Sequence, residues 1–163
     1  MLKIRKALIG DVEGITDIYN EAILKTNATF DTEEKKLEEQ ISWFKSHGSK
    51  NPIIVAEKNG SILGWAALSK YDKKCAYSDT AEISLYVKQE FQGQGIGKKL
   101  MNEIINLGKK AGIHSIVARV TAGNNISIDL HKLVGFEIIG IMKEVGYKFD
   151  KWLDVYFMQK IYK

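Results

Sequence analysis

Thr80-Ala81-Glu82-Ile83-Ser84-Leu85-Tyr86-Val87 and, after Lys88 to Phe91, Gln92-Gly93-Gln94-Gly95-Ile96-Gly97 form the stretch on which the reading of this chain turns. Apolar and polar residues alternate through the first segment, which is the period of a strand with two unlike faces. Glu82, Ser84 and Tyr86 share one face; Ala81, Ile83, Leu85 and Val87 share the other. The glycine cluster opens a segment with Leu100, Met101, Ile104, Ile105 and Leu107 at helical spacing, which stops near Ala111-Gly112. Strand, glycine cluster, helix is an arrangement that offers free backbone N–H groups and the positive end of a helix dipole to a phosphate. Spacing narrows the ligand. A P-loop requires Ser or Thr after its lysine, and Lys99 follows Lys98 here. The dinucleotide fingerprint requires glycine where Lys98 stands and an acidic residue after the next strand, which runs Ala118-Arg119-Val120-Thr121.

Outward from this segment the pattern is equally regular. Leu2 to Ala7 reads as a strand, and Val12, Ile15, Ile18, Tyr19, Ala22 and Ile23 give an amphipathic helix over about Asp11 to Leu24. Asp31 with Glu34 predicts an acidic capping box opening a second helix, whose buried side is Leu37, Ile41, Trp43 and Phe44. Pro52 precedes a strand over Ile53 to Lys58, and Asn59-Gly60 is a hairpin turn into a strand from Ser61 to Ser69. A polar loop covers Lys70 to Ser78. Beyond the glycine-led helix, Ser115 to Val120 is a strand and Asn124 or Asn125 caps a short helix through Leu133. Final strands cover about Phe136 to Val145 and Leu153 to Ile161. The order is β-α-α-β-β-β-α-β-α-β-β, which implies one sheet with helices on its faces, and 163 residues suit one domain over 1–163.

Composition excludes several classes of function. At 45% hydrophobic and 27% charged the chain can bury a core, and no apolar run approaches the roughly 20 residues of a membrane span. The single cysteine, Cys75, has no internal partner, which points to a reducing, cytoplasmic setting; three scattered histidines show no metal-ligand spacing. The net charge of +4 is carried almost wholly by dispersed lysines, with Arg5 and Arg119 the only arginines, which argues against nucleic acid as the partner.

Gln92 to Gly97 resembles the Q/R-x-x-G-x-G/A pyrophosphate loop of the GCN5-related N-acetyltransferases, the GNAT superfamily. The segments Asn20-Glu21-Ala22, Ala28 to Glu33, Ala76-Tyr77, Glu82 to Val87, Asn124 to His131 and Lys148 to Asp154 resemble its phosphinothricin and methionine sulfoximine acetyltransferase branch. The resemblance implies an α/β (α+β) GNAT fold with one mixed, mostly antiparallel seven-stranded sheet and helices on both faces. It implies acetyl-CoA as co-substrate, no metal, a small amino-acid-like amine as acceptor, and a homodimer. In that family the amides of Gln92, Gly93, Gln94, Gly95, Ile96 and Gly97 would hold the coenzyme A pyrophosphate, with Lys98 assisting. Leu85, Tyr86 and Val87 would pair with the pantetheine as an added strand, and Asn124, Ser127 and His131 would lie near the coenzyme.

An amine attacks a thioester only as the free base, so a proton acceptor is required, and a carboxylate in a partly enclosed cleft suits that task. The resemblance gives this part to Glu82. It makes His131 an acid for the departing thiolate or a positioning group. Phe30, Lys74, Tyr77, Lys148 and Phe149 match acceptor-pocket positions. Asp72 departs from the branch, which is usually basic there, and lysine lacks arginine's bidentate fork, so the acid group of the acceptor would be held differently. Two other readings keep the fold: acetylation of a peptide N-terminus, lysine or polyamine, and a non-catalytic acyl-CoA-binding module.

Overall fold

Asn59 and Gly60 both adopt positive φ, 52° and 80°, the type I′ geometry that matches the twist of the strands they join. They connect β2 (Ile53–Lys58) to β3 (Ser61–Lys70), and β4 (Thr80–Val87) pairs with β3 in turn. The remaining elements of the computed structural model, which describes residues 1–163, are β1 (Lys3–Lys6), α1 (Val12–Lys25), α2 (Leu37–Lys45), α3 (Ile96–Lys110), β5 (Ser115–Thr121), α4 (Asn125–Leu133), β6 (Glu137–Lys148) and β7 (Lys151–Ile161). Element order agrees with the sequence pattern throughout.

The seven strands form one sheet in the order β1-β2-β3-β4-β5-β7-β6. Every neighbouring pair is antiparallel except β4 and β5. That parallel pair is also the short one: its register runs from Thr80↔Ser115 to Glu82↔Val117 and stops. Beyond it, Ile83–Val87 and Ala118–Thr121 diverge, leaving a wedge in the middle of the sheet.

The alternation in β4 divides two cores. Ala81 and Ile83 join Ile54, Leu68, Ile116 and Met158 beneath α3, whose Leu100, Met101 and Ile104 are fully buried, and Ile128 of α4 enters the same layer. On the opposite face Ile15 and Ile18 of α1 cover Ile53, Val55, Trp65 and Ala67, with Trp43 and Phe44 of α2 and with Tyr86 at the margin. Tyr19, Trp43, Trp65 and Tyr86 meet there at centroid separations of 5.2 to 6.0 Å, mostly edge to face.

Two boundaries differ from the sequence reading. The second helix begins at Leu37, not at Asp31, because the Asp31 carboxylate accepts a hydrogen bond from the Tyr19 hydroxyl instead of capping. The box at the true start is supplied by Glu39, which accepts from the Lys36 N–H at 2.9 Å. The final hairpin extends to Lys148 and Lys151 on a two-residue turn, Phe149-Asp150, both at positive φ. With Asp150 alone and no glycine or asparagine that turn carries only a weak local signal, and a phenylalanine held at φ 52° is strained.

Candidate active site

The wedge between β4 and β5 opens into a cavity of about 940 Å³ whose walls are Ile83–Val87, Ala118–Asn124, the start of α3, the inner side of α4 and the end of α1. At one end lies the glycine loop. Gly93 and Gly95 sit at φ 76° and 83°, left-handed values that side chains resist, and a Cβ at either would meet nothing within 4 Å. The requirement for glycine there is conformational. Gly95 precedes the first turn of α3, which no side chain caps, so that turn's N–H groups remain free toward the cavity mouth. Gln92 folds back and donates from Nε2 to the Val87 carbonyl at 3.1 Å, tying the loop to the end of the strand.

Of the residues expected to hold the donor, Leu85, Tyr86, Val87, Gln92, Gly93, Gly95, Ile96, Gly97, Lys98, Asn124, Ser127 and His131 all line this cavity; Gln94 does not. Asn124 is the cap of α4, its Oδ1 accepting from the Ser127 N–H at 3.3 Å. His131 is buried, and its Nδ1 lies 2.7 Å from the Ser127 carbonyl. A carbonyl only accepts, so the ring proton is on Nδ1, and Nε2 carries a lone pair. Burial pushes this imidazole below its ordinary pKa, with the Ser127 carbonyl opposing in part. His131 is therefore neutral near pH 7.

Glu82 lies at the last paired position of β4, on the polar face, just where the wedge begins. It receives a fork from Arg119: Nε donates to Oε2 at 2.5 Å and Nη2 to Oε1 at 2.8 Å. The carboxylate expected in a partly enclosed cleft is thus a salt-bridged one. Ser84, Tyr86 and Arg119 line the cavity; Glu82, its side chain 23% exposed, is not among the lining residues and borders them through Arg119. Arg119 is held charged by Glu82 in the first place, against a smaller opposing effect of burial. Sequence reading gave Arg119 no part in the site. Its only signal was being one of two arginines, on a strand otherwise apolar and small.

The residues expected to grip the acceptor gather elsewhere. Lys148 is buried, with Nζ donating to the Thr29 carbonyl at 2.8 Å and lying 5.3 Å from the Phe149 ring centroid. Burial lowers its pKa. Phe30 lies against Gly146, where a Cβ would fall 2.1 Å from the ring. Tyr19 bridges Thr29 and Asp31. Phe30, Lys148 and Phe149 are brought together in this way; Tyr77 stacks edge-on with Tyr71 at 5.3 Å, and Lys74 is exposed on the same loop. None of these five lines the cavity itself. Asp72 has a local task, since its Oδ1 accepts from the Lys74 N–H at 2.8 Å and shapes the turn.

No group of three or more His, Cys, Asp or Glu side chains is placed to hold a metal ion, and no helix is long and apolar enough to cross a membrane. A family model for the acetyltransferase (GNAT) domain matches residues 4–157. The chain is 37% identical over 158 residues, 96% of its length, to an L-methionine sulfoximine/L-methionine sulfone acetyltransferase of Pseudomonas paraeruginosa, and spans 92% of that protein. It is 35% identical over 159 residues, 97% of its length and 92% of the relative's, to the L-amino acid N-acyltransferase of Escherichia coli. Among solved structures, the phosphinothricin acetyltransferase of Sinorhizobium meliloti in complex with acetyl-CoA superposes with a TM-score of 0.94 at 33% identity, over 98% of this chain and 88% of that one. A cleft built from a splayed parallel strand pair and an uncapped helix, together with these matches, establishes that the chain belongs to the GNAT family of acetyltransferases, in the branch of the phosphinothricin and methionine sulfoximine enzymes.

Proposed function

We propose that this protein transfers an acetyl group from acetyl-CoA to the amine of a small amino-acid-like molecule by direct attack. The observation that carries the reading is the cavity itself, in which free helix amides and a divergent strand edge meet Arg119, the partner of Glu82. The donor fits what the residues offer: an anion-binding end at Gly93 to Lys98 and a strand edge, Leu85 to Val87, against which an amide-bearing arm can lie as an extra strand. Names of relatives that act on amino acids and their analogues support the acceptor class.

In this reading the acceptor ammonium loses its first proton to Glu82 through a water, since Glu82 borders the cavity without lining it. The amine nitrogen then bonds to the thioester carbon, and backbone N–H groups of β4 hold the oxyanion. The carbon–sulfur bond breaks, the amide nitrogen releases its second proton, and the thiolate takes up one proton. His131, neutral with its proton committed to the Ser127 carbonyl, acts as a positioning group for α4 rather than as the acid. Phe30, Lys148 and Phe149 shape the acceptor end, with Lys74 and Tyr77 on the facing loop.

Two copies are proposed to associate through β6. It is the edge strand of the sheet, and Ile139, Ile141, Met142 and Val145 on it are 45 to 56% exposed, as an unprotected edge would not be in an isolated molecule. Sedimentation of purified protein with and without Ile141→Glu checks this: the substitution yields monomer.

The decisive experiment follows coenzyme A thiol release over a panel of amines: methionine sulfoximine, methionine sulfone, phosphinothricin, free amino acids, N-terminal peptides and polyamines. Release with the amino-acid group is the expected result. Release only with peptides or polyamines, or tight acetyl-CoA binding with no release, refutes the reading.

A further inference from the structure

The Arg119 guanidinium has two hydrogen-bonding edges. Glu82 occupies the one formed by Nε and Nη2, at 2.5 and 2.8 Å, while Nη1 has no partner in the protein. The side chain is 60% exposed although its neighbour Glu82 is only 23% exposed, so the free edge is the one turned into the cavity that Arg119 lines. Apart from Arg119, the only lysine or arginine in that wall is Lys98, at the glycine loop. The loop where the family places its basic residues supplies no substitute, since Asp72 is engaged with the Lys74 N–H and Lys74 lies outside the wall.

We propose that the Glu82–Arg119 pair is a zwitterion clamp: the Nη1 edge of Arg119 binds the carboxylate of an α-amino acid, which sets that acid's amine within one water's reach of Glu82. An α-amino acid bears both groups on one carbon, with the same opposite-sign adjacency as the ion pair it meets. Glu82 holds the guanidinium plane fixed, so the second edge is presented pre-organised for a bidentate acid. Arg119 is then a specificity-determining residue, and amines without a neighbouring carboxylate are poor acceptors. The inference rests on the acetyltransferase reading of the site but names a contact that reading does not require.

The test compares wild type with Arg119→Met and Arg119→Lys on two acceptors, L-methionine sulfone and 3-(methylsulfonyl)propylamine, the same skeleton without its carboxylate. Two quantities are measured: kcat/KM by thiol release, and calorimetric binding of L-methionine sulfone to protein saturated with coenzyme A. Acetyl-CoA affinity confirms that each variant is folded. Losing a charge-assisted bidentate contact lowers kcat/KM for the amino acid roughly 100-fold in Arg119→Met, with Arg119→Lys intermediate. Any effect transmitted through the unpaired Glu82 reduces both acceptors alike, so the quantity that decides is the ratio between them, which falls about tenfold or more. An unchanged ratio overturns the clamp while leaving the acetyltransferase standing. No turnover of any amine, with amino-acid binding present in wild type and lost in Arg119→Met, overturns the acetyltransferase and keeps the clamp. Absence of L-methionine sulfone binding to wild type overturns the clamp outright.

Discussion

The two ends of the cleft are built from different materials. At the proposed donor end the groups offered are main-chain amides, from Gln92 to Lys98 and along Leu85 to Val87, placed by backbone conformation and by α3. At the proposed acceptor end they are side chains, Glu82, Arg119, Phe30 and Lys148, drawn from β4, β5, the loop after α1 and the end of β6. A backbone-built site is specified by residues adjacent in sequence. A side-chain-built site is specified by contacts such as Lys148 to Thr29, 119 positions apart. The first tolerates side-chain change and fails on backbone strain; the second does the reverse.

The largest effect falls on the acceptor end. Glu82→Gln keeps a hydrogen bond to Arg119 but removes the proton acceptor, and kcat falls about 100-fold or more. Because Glu82 is outside the cavity wall, acetyl-CoA affinity by calorimetry stays within about twofold. A kcat within about threefold of wild type removes Glu82 from the chemistry.

The mirror experiment strains the donor end. Gly95 holds φ 83° in open space, so Gly95→Ala meets no atom and acts only through conformation, at roughly 1–2 kcal/mol. Acetyl-CoA binding weakens about tenfold as the loop relaxes away, while the KM of the amine is unchanged. Equal weakening of both substrates would erase the distinction between the two ends.

Gly146→Ala separates them again, more gently. The new Cβ overlaps the far edge of the Phe30 ring, which is free to turn because it is 36% exposed. The expected loss of stability is small, about 1 kcal/mol or less, since a ring rotates and no backbone moves. KM for the amine rises a few-fold and acetyl-CoA binding does not respond.

Legibility followed the same division. Alternation in β4, glycines at Gly93 and Gly95, and Asn124 as a cap are local signals, and the fold and the cavity they line follow from them. Asp31 misled because an Asp followed by Glu at three residues reads as a cap, whereas the Tyr19 hydroxyl, reachable only once α1 is folded against the sheet, claims its carboxylate. The Phe149-Asp150 turn has Asp150 as its one turn-forming residue and a phenylalanine where such turns want Asn, Asp or Gly, so the reach of the β6–β7 hairpin to Lys148 is not marked locally. Arg119 escaped notice because its partner is 37 positions away and meets it only through the parallel β4–β5 register.

The smallest expected effect concerns His131 and pH. Its folded pKa lies below the usual histidine value of 6.5, so the unfolded chain takes up a proton that the native protein refuses. That contribution to stability is fully present above the unfolded value and is lost as pH falls through 6.5 toward the folded value. His47 adds in the same direction, its imidazole also depressed by burial with Nδ1 against the Trp43 carbonyl. Thermal melts therefore show Tm declining from pH 7.5 to pH 5.5, and His131→Gln, which cannot be protonated, makes the decline shallower while lowering Tm at neutral pH. A steeper slope in the variant would mean that the fold favours the charged imidazole and would return it to contention as the acid that serves the thiolate, whereas an unaltered slope would mean that burial leaves its proton affinity unchanged.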